Sequence, residues 1–148
     1  MKETKGNILD FMDRVDAVCI TTNGIIKADG EAVMGAGVAK SFKLKYPSLP
    51  KTLAFNLKRK GNVTSVLYKP EDTKATILSL PTKHNWKDNS DIKLIETSLQ
   101  RLVEIADINK YKYIMLVRPG CSNGGLSWNN DVKPLCEKIL DDRFYIIS

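Results

Sequence analysis

Apolar positions recur along this chain in two rhythms. Three short runs, 16–22, 111–117 and 144–147, are strand-length and rich in consecutive apolar residues, the mark of strands covered on both faces. Elsewhere the spacing is helical. Val38, Phe42 and Tyr46 predict a helix over 38–46 that Pro47 closes. Ile92, Ile95, Leu99, Leu102 and Ala106 predict a longer one over 91–106, capped by Ser90. Val132, Leu135, Cys136 and Ile139 predict a last helix. Residues 53–57, 64–68 and 75–80 read as three more strands, parted at Gly61-Asn62 and at Pro70-Glu71-Asp72.

Strands alternating with helices predict an α/β sandwich with a largely parallel sheet, in which ligands gather beyond the carboxyl ends of the strands. That rule directs attention to the loops over 23–37, 81–89 and 119–128, all expected on one edge.

Composition narrows the function classes. The 148 residues suit one domain over 1–148, with no repeat or linker to divide it. No apolar run reaches membrane-spanning length and the first ten residues lack a signal-peptide core, so a soluble, cytoplasmic protein without a membrane partner is expected. Three cysteines without a CxxC fit reduced thiols, and a single histidine, His84, leaves no zinc motif. Neither metal nor cofactor is expected. The formal charge of +6 suits an anionic partner, but it equally suits a solubilising surface. Lys40, Lys43 and Lys45 on a helix flank, and Lys58-Arg59-Lys60 in a turn, read as solvated surface, the default for such charge runs, and not as a nucleic-acid track.

Two loops carry a phosphate-binding character. Gly35-Ala36-Gly37 precedes a helix, whose exposed N–H groups and positive end attract anions. The run from Gly120 through Cys121, Ser122, Asn123 and Gly124 to Gly125 is similar, and two such loops on one edge point to a diphosphate between them. Familiar phosphate motifs are excluded. A Walker A loop needs glycine where Met34 and Ala39 stand, and G-x-G-x-x-G from Gly35 needs glycine at Lys40.

Five segments in order carry a wider resemblance: Lys5-Gly6-Asn7-Ile8, the 16–18 strand start leading to Asn23, Val33 through Ala39, Pro81-Thr82-Lys83-His84-Asn85-Trp86, and Gly120-Cys121 through Gly125-Leu126-Ser127-Trp128. Together they resemble the macrodomain family, the ADP-ribose-binding fold. The Met-Gly-Ala-Gly-Val-Ala and Pro-Thr-Lys pieces look most like the branch of terminal ADP-ribose glycohydrolases and antitoxins that strip ADP-ribose from DNA. The Thr-Thr-Asn-Gly form is similar to small phage and bacterial macrodomains described as ADP-ribose-1''-phosphate phosphatases, which would place a phage-encoded chain in the host-cell cytoplasm.

The resemblance implies a three-layer α/β/α macrodomain, monomeric, with a mixed, largely parallel sheet. It implies a hydrolase acting without metal at C1'' of the distal ribose of ADP-ribose or an ADP-ribosyl derivative. The leaving group stays open among phosphate, a protein side chain and a nucleobase, so ADP-ribosylated protein and nucleic acid are both expected partners; a reader without turnover is the alternative. Asn7 stands where the family has an aspartate accepting from adenine, and Ile8 would line the adenine pocket, with Tyr145 packing nearby. Asn23 would orient the distal ribose. Gly35, Ala36, Gly37 and Val38 match the first phosphate loop, and Pro119, Gly120, Cys121, Ser122, Asn123, Gly124, Gly125 and Leu126 the second.

Lys83 is the implied catalytic residue, either as a nucleophile with a depressed pKa or as a charged stabiliser of the departing group. His84 is a candidate acid or base because imidazole titrates near neutrality. Some relatives carry an aspartate in the second loop where this chain has Gly124, which excludes a lysine-aspartate pair. Trp86 and Trp128 are expected to brace loop bases by packing. Residues 25–32 read as an insertion forming a wall beside C1''.

Overall fold

A computed structural model describes residues 1–148. Six strands form one sheet: β1 (Lys2–Thr4), β2 (Ala17–Thr22), β3 (Ser65–Tyr68), β4 (Thr76–Pro81), β5 (Ile114–Val117) and β6 (Phe144–Ile147), in the order β1-β6-β5-β2-β4-β3. Every neighbouring pair is parallel except β3 with β4. The helices are α1 (Gly37–Lys45), α2 (Leu49–Lys60), α3 (Ile92–Asn109) and α4 (Lys133–Ile139). No helix is long and apolar enough to cross a membrane.

Alternation along the strands sorts the side chains into two cores. Val18 and Ile20 of β2 and Ile77 of β4 pack with Phe42, Leu49 and Leu53 of α1 and α2. Ala17, Cys19, Leu78 and Leu80 point the other way, toward Ile95, Leu99 and Leu102 of α3 and Cys136 of α4. Both faces are therefore covered, which is why β2 is apolar on consecutive positions. The result is the three-layer α/β/α arrangement with a mixed sheet that the sequence led us to expect.

Several boundaries differ from expectation. Residues 53–57 are not a strand but the middle of α2. Leu49, Leu53, Ala54 and Leu57 share a helical face, and Pro50 sits in the first turn, where its missing N–H is harmless. Phe55, which strand alternation would place opposite Ala54, is exposed and lies under the Arg59 guanidinium at i+4. The cap of α3 is Asp91, whose carboxylate accepts from the Lys93 N–H at 2.9 Å, rather than Ser90. That helix runs on to Asn109, where Lys110 turns left-handed at φ 57°.

β5 starts at Ile114 rather than at 111 because the Asp16 carboxylate takes the N–H groups of Lys112 and Tyr113 at 2.8 and 3.0 Å. The last helix is entered through a wide turn over Trp128–Val132 before α4 proper. β1 was invisible in sequence, since Lys2–Thr4 has no apolar alternation and takes its place at the edge by backbone pairing with β6 and polar contacts of Glu3.

Candidate functional site

The parallel strands bring Thr22, Pro81, Val117 and Ile147 to one edge of the sheet, and the loops that follow them enclose a cavity of about 990 Å³. All three loops singled out by composition contribute to its wall. Its charged side chains are Lys83 and Arg118, and neither a side-chain carboxylate nor an imidazole lines it. That wall suits an anion.

The first side is the start of α1. Gly35, Ala36, Gly37 and Val38 all line the cavity, and the helix has no side-chain cap and no acidic residue in its first turn. The N–H groups of Gly35, Ala36, Gly37, Val38 and Ala39 find no acceptor in the protein. Those of Gly37, Val38 and Ala39 belong to the first turn of α1, its positive end. Gly37 has φ +58°, a conformation that favours glycine, and a Cβ there would come within 3.2 Å of the Asn123 side-chain amide. A Cβ at Gly35 would meet nothing.

Across the cavity lies the second glycine loop, of which Gly120, Cys121, Ser122, Asn123 and Gly124 line the wall. The N–H groups of Ser122, Asn123, Gly124 and Gly125 again have no acceptor in the protein. The loop is closed by the Leu126 N–H on the Gly120 carbonyl at 3.0 Å and held to the residues before α3 by the Ser90 N–H on the Gly124 carbonyl at 2.9 Å. Gly124 has room for no side chain: a Cβ would overlap the Ser90 hydroxyl and come within 2.5 Å of the Gly120 carbonyl oxygen. An aspartate cannot be added here without remaking the loop.

Lys83, two residues past Pro81 at the end of β4, reaches over this loop. Its Nζ donates to the Asn123 carbonyl at 3.0 Å and to the Trp86 carbonyl at 3.5 Å. Its own carbonyl accepts from the Asn62 amide at 3.0 Å. Asn23 also lines the cavity and is held at both ends of its amide, donating to the Val33 carbonyl and accepting from the Ile25 N–H, each at 3.1 Å. One N–H and one lone pair remain. At the far end Asn7 caps the turn over Ile8–Phe11, accepting from the Leu9 N–H at 3.0 Å, and Ile8 is buried beside it. Both line the cavity.

Other candidates lie elsewhere. His84 is exposed outside the cavity, its Nε2 on the Asp91 carboxylate at 2.9 Å, and that hydrogen bond is the leading reason the Asp91 carboxyl is held below the usual range. Tyr145 sits near the amino end of β6, stacked near Tyr113; Ile147, two residues on and on the same face, lines the cavity instead. Pro119, Gly125 and Leu126 shape the second loop from behind without lining the cavity. Residues 25–32 form a small hairpin bridged at Ile26 and Ala32 and hydrogen-bonded to the Pro50 carbonyl, so they form no part of the cavity wall.

Sequence reasoning missed Thr22, Ser90 and Arg118. Thr22 Oγ1, Ser90 Oγ and Arg118 Nε are buried, without a hydrogen-bond partner, in residues that line the cavity. Buried polar atoms in that state call for a partner. Only Arg118, directly before the Pro-Gly step, had a sequence signal. Trp128 is buried as expected, donating to Glu3 at 3.0 Å. Glu3 also accepts from Lys133, the main cause that lowers its pKa, and faces Arg118 at 3.7 Å. Trp86 is not a packing residue: it is 49% exposed at the mouth, beside Lys83.

No family model matches the chain. Among solved structures, the macrodomain of Mycobacterium tuberculosis DarG superposes with a TM-score of 0.81 at 24% identity, covering 99% of this chain and 95% of that one. Thermosipho africanus DarTG in complex with ADP-ribose gives 0.76 at 26% identity, covering 99% of this chain and 41% of that one. Among curated proteins, a DNA ADP-ribosyl transferase-DNA ADP-ribosyl glycohydrolase fusion protein from Thermosipho africanus is 27% identical over 138 residues, 80% of this chain. The chain spans about a third of that relative's length, 34%. In layer order and sheet topology the chain has the macrodomain fold, similar to the macrodomains of DarG proteins.

Proposed function

We propose that the cavity binds an ADP-ribosyl group and that the protein hydrolyses the bond at C1'' of the distal ribose, releasing ADP-ribose from a modified macromolecule. One observation carries the reading: two runs of residues whose backbone N–H groups have no partner, 35–39 and 122–124, line one cavity whose charged side chains are two cations and no acid. A diphosphate satisfies both runs at once. DNA is the favoured macromolecule, because the similar curated proteins are named DNA ADP-ribosyl glycohydrolases and a similar DarTG structure holds ADP-ribose.

In this reading the adenine lies by Asn7 and Ile8, the diphosphate between the glycine loops, and the distal ribose by Asn23 and Lys83. Asn7 still has a lone pair for the adenine amino group. Asn23, locked by its two backbone bonds, offers its spare N–H to a ribose hydroxyl without first losing rotamer freedom.

The bond from C1'' to the leaving group breaks with its electron pair going to the leaving group; water then adds its hydroxyl to C1'', and its remaining proton goes to the leaving group. Lys83 acts as a cation beside the departing group. Its Nζ donates to two backbone carbonyls, those of Asn123 and Trp86, and no side-chain carboxylate lines the wall to pair with it.

The test presents ADP-ribosylated oligonucleotide, ADP-ribosylated protein and ADP-ribose-1''-phosphate side by side to wild type and Lys83→Ala, with released ADP-ribose quantified by chromatography. Release from the oligonucleotide, lost in the variant, supports the reading. Release only from the phosphate ester makes the protein a phosphatase, and binding without any release makes it a reader.

A further inference from the structure

We propose that Trp86 is the platform on which a nucleobase joined to C1'' stacks, and that the nucleic-acid strand continues along the basic last turn of α2. This rests on the reading that the cavity holds an ADP-ribosyl group.

A half-exposed tryptophan on the wall of an open cavity is apolar surface available to a ligand. The indole of Trp86 is 49% exposed, lines the cavity and follows Lys83 by three residues. Its backbone is fixed: the Trp86 carbonyl accepts from Lys83 Nζ, and the next residues are turned by the Asn85 side chain accepting from the Lys87 N–H at 3.0 Å. Lys87 Nζ lies 5.5 Å from the centre of the indole ring. The ring is therefore presented, not folded away, beside the group that would stand at C1''. A base extruded from its own stack offers a free π-face to such a ring.

The surroundings supply the rest of a strand site. Asn62, which donates to the Lys83 carbonyl at 3.0 Å, follows directly on α2 and its closing Gly61. The last turn of α2 carries Lys58, Arg59 and Lys60, all exposed, and α2 contains no acidic residue. None of these three, nor Lys83 or Lys87, has an ion-pair partner within 4.0 Å. Asp88, in the Trp86 loop, is the exposed acid nearest in sequence; Asp91 is occupied by His84. Each exposed ring lies beside a cation of its own segment, Trp86 by Lys87 and Phe55 beneath Arg59, and the Asn62–Lys83 hydrogen bond ties the end of α2 to the Trp86 loop. Cations alternating with exposed rings are what a flexible strand needs for its phosphates and bases. An acidic peptide would use the cations and leave the indole idle.

The experiment compares wild type, Trp86→Ala and Trp86→Phe on an ADP-ribosylated single-stranded oligonucleotide, an ADP-ribosylated peptide and free ADP-ribose. Trp86→Ala is expected to raise KM for the oligonucleotide by about tenfold, within the range for loss of one base stack. The Phe variant keeps most of the affinity. Binding of free ADP-ribose, followed by calorimetry, is expected to change less than about twofold, since the stacked base is absent from it. The triple change Lys58→Ala, Arg59→Ala and Lys60→Ala flattens the dependence of log affinity on log salt by up to about 2. An equal loss for oligonucleotide and free ADP-ribose, a loss confined to the peptide, or no loss at all overturns the inference. Failure of wild type to bind ADP-ribose at all is separate, and removes the reading of the cavity itself.

Discussion

Lys83 Nζ and the Asn123 carbonyl are 3.0 Å apart, so the side chain proposed for chemistry is also a strap from the end of β4 to the second glycine loop. The strap is short and partly exposed, and its removal frees the loop without unfolding the sheet. Lys83→Ala is therefore expected to lower stability by no more than about 1 kcal/mol. Turnover falls by about 100-fold or more, the scale for losing one fixed charge at a departing group. ADP-ribose binding survives. Borohydride added during turnover separates the two roles of the lysine: a charged stabiliser gives no trapped adduct by mass spectrometry, whereas a nucleophilic lysine does.

Gly35 and Gly37 make opposite predictions although they stand two residues apart. A Cβ at Gly35 meets nothing in the protein, so Gly35→Ala leaves the melting transition within about 0.5 kcal/mol of wild type. Gly35 lines the cavity, so a methyl there is expected to narrow the space proposed for the diphosphate and to lower ADP-ribose affinity by about tenfold or more. Gly37→Ala, at φ +58°, is strained by about 1–2 kcal/mol before any ligand is added. Thermal denaturation and calorimetry on both variants check the contrast.

At Gly124 the obstruction is backbone. Gly124→Ala is expected to destabilise by about 1–3 kcal/mol through overpacking against Ser90 and Gly120. Adding Ser90→Ala does not restore the protein, because the Gly120 carbonyl remains in the way. Recovery of wild-type stability and binding in the double variant would contradict the loop geometry.

Acid stability depends on Asp16. Its carboxyl loses solvation by burial, which raises its pKa, but the N–H groups of Lys112 and Tyr113, with Lys74, outweigh that and hold it below the ordinary 3.8. A depressed folded-state pKa contributes stability that is full above the unfolded value. That stability is lost as pH falls from about 4 through the folded value. Asp16→Asn is expected to flatten this part of the profile and leave the neutral-pH profile parallel to wild type but lower. Urea melts from pH 2.5 to 7 measure it.

Most of the fold could be read from apolar rhythm, because strands such as β2 and β6 and the long face of α3 are buried on every turn. Residues 53–57 misled because five residues of a half-buried helix look like a strand when Leu49 and Pro50 are left out of the window. β1 carried no signal at all, being an edge held by backbone pairing. In the site, the glycine loops were legible because backbone approach demands small residues. His84 and Tyr145 were not, since a loop histidine's direction and the depth of a residue along a strand are tertiary facts. The unpartnered atoms of Thr22, Ser90 and Arg118 exist only once the cavity is closed around them.

The most direct test of the central claim is calorimetric titration of the protein with ADP-ribose, repeated with Gly35→Ala. The account predicts saturable one-to-one binding to wild type that the added methyl weakens by about tenfold while the fold stays intact. No heat of binding to wild type, or equal affinity in the variant, would contradict a diphosphate held between the two glycine loops.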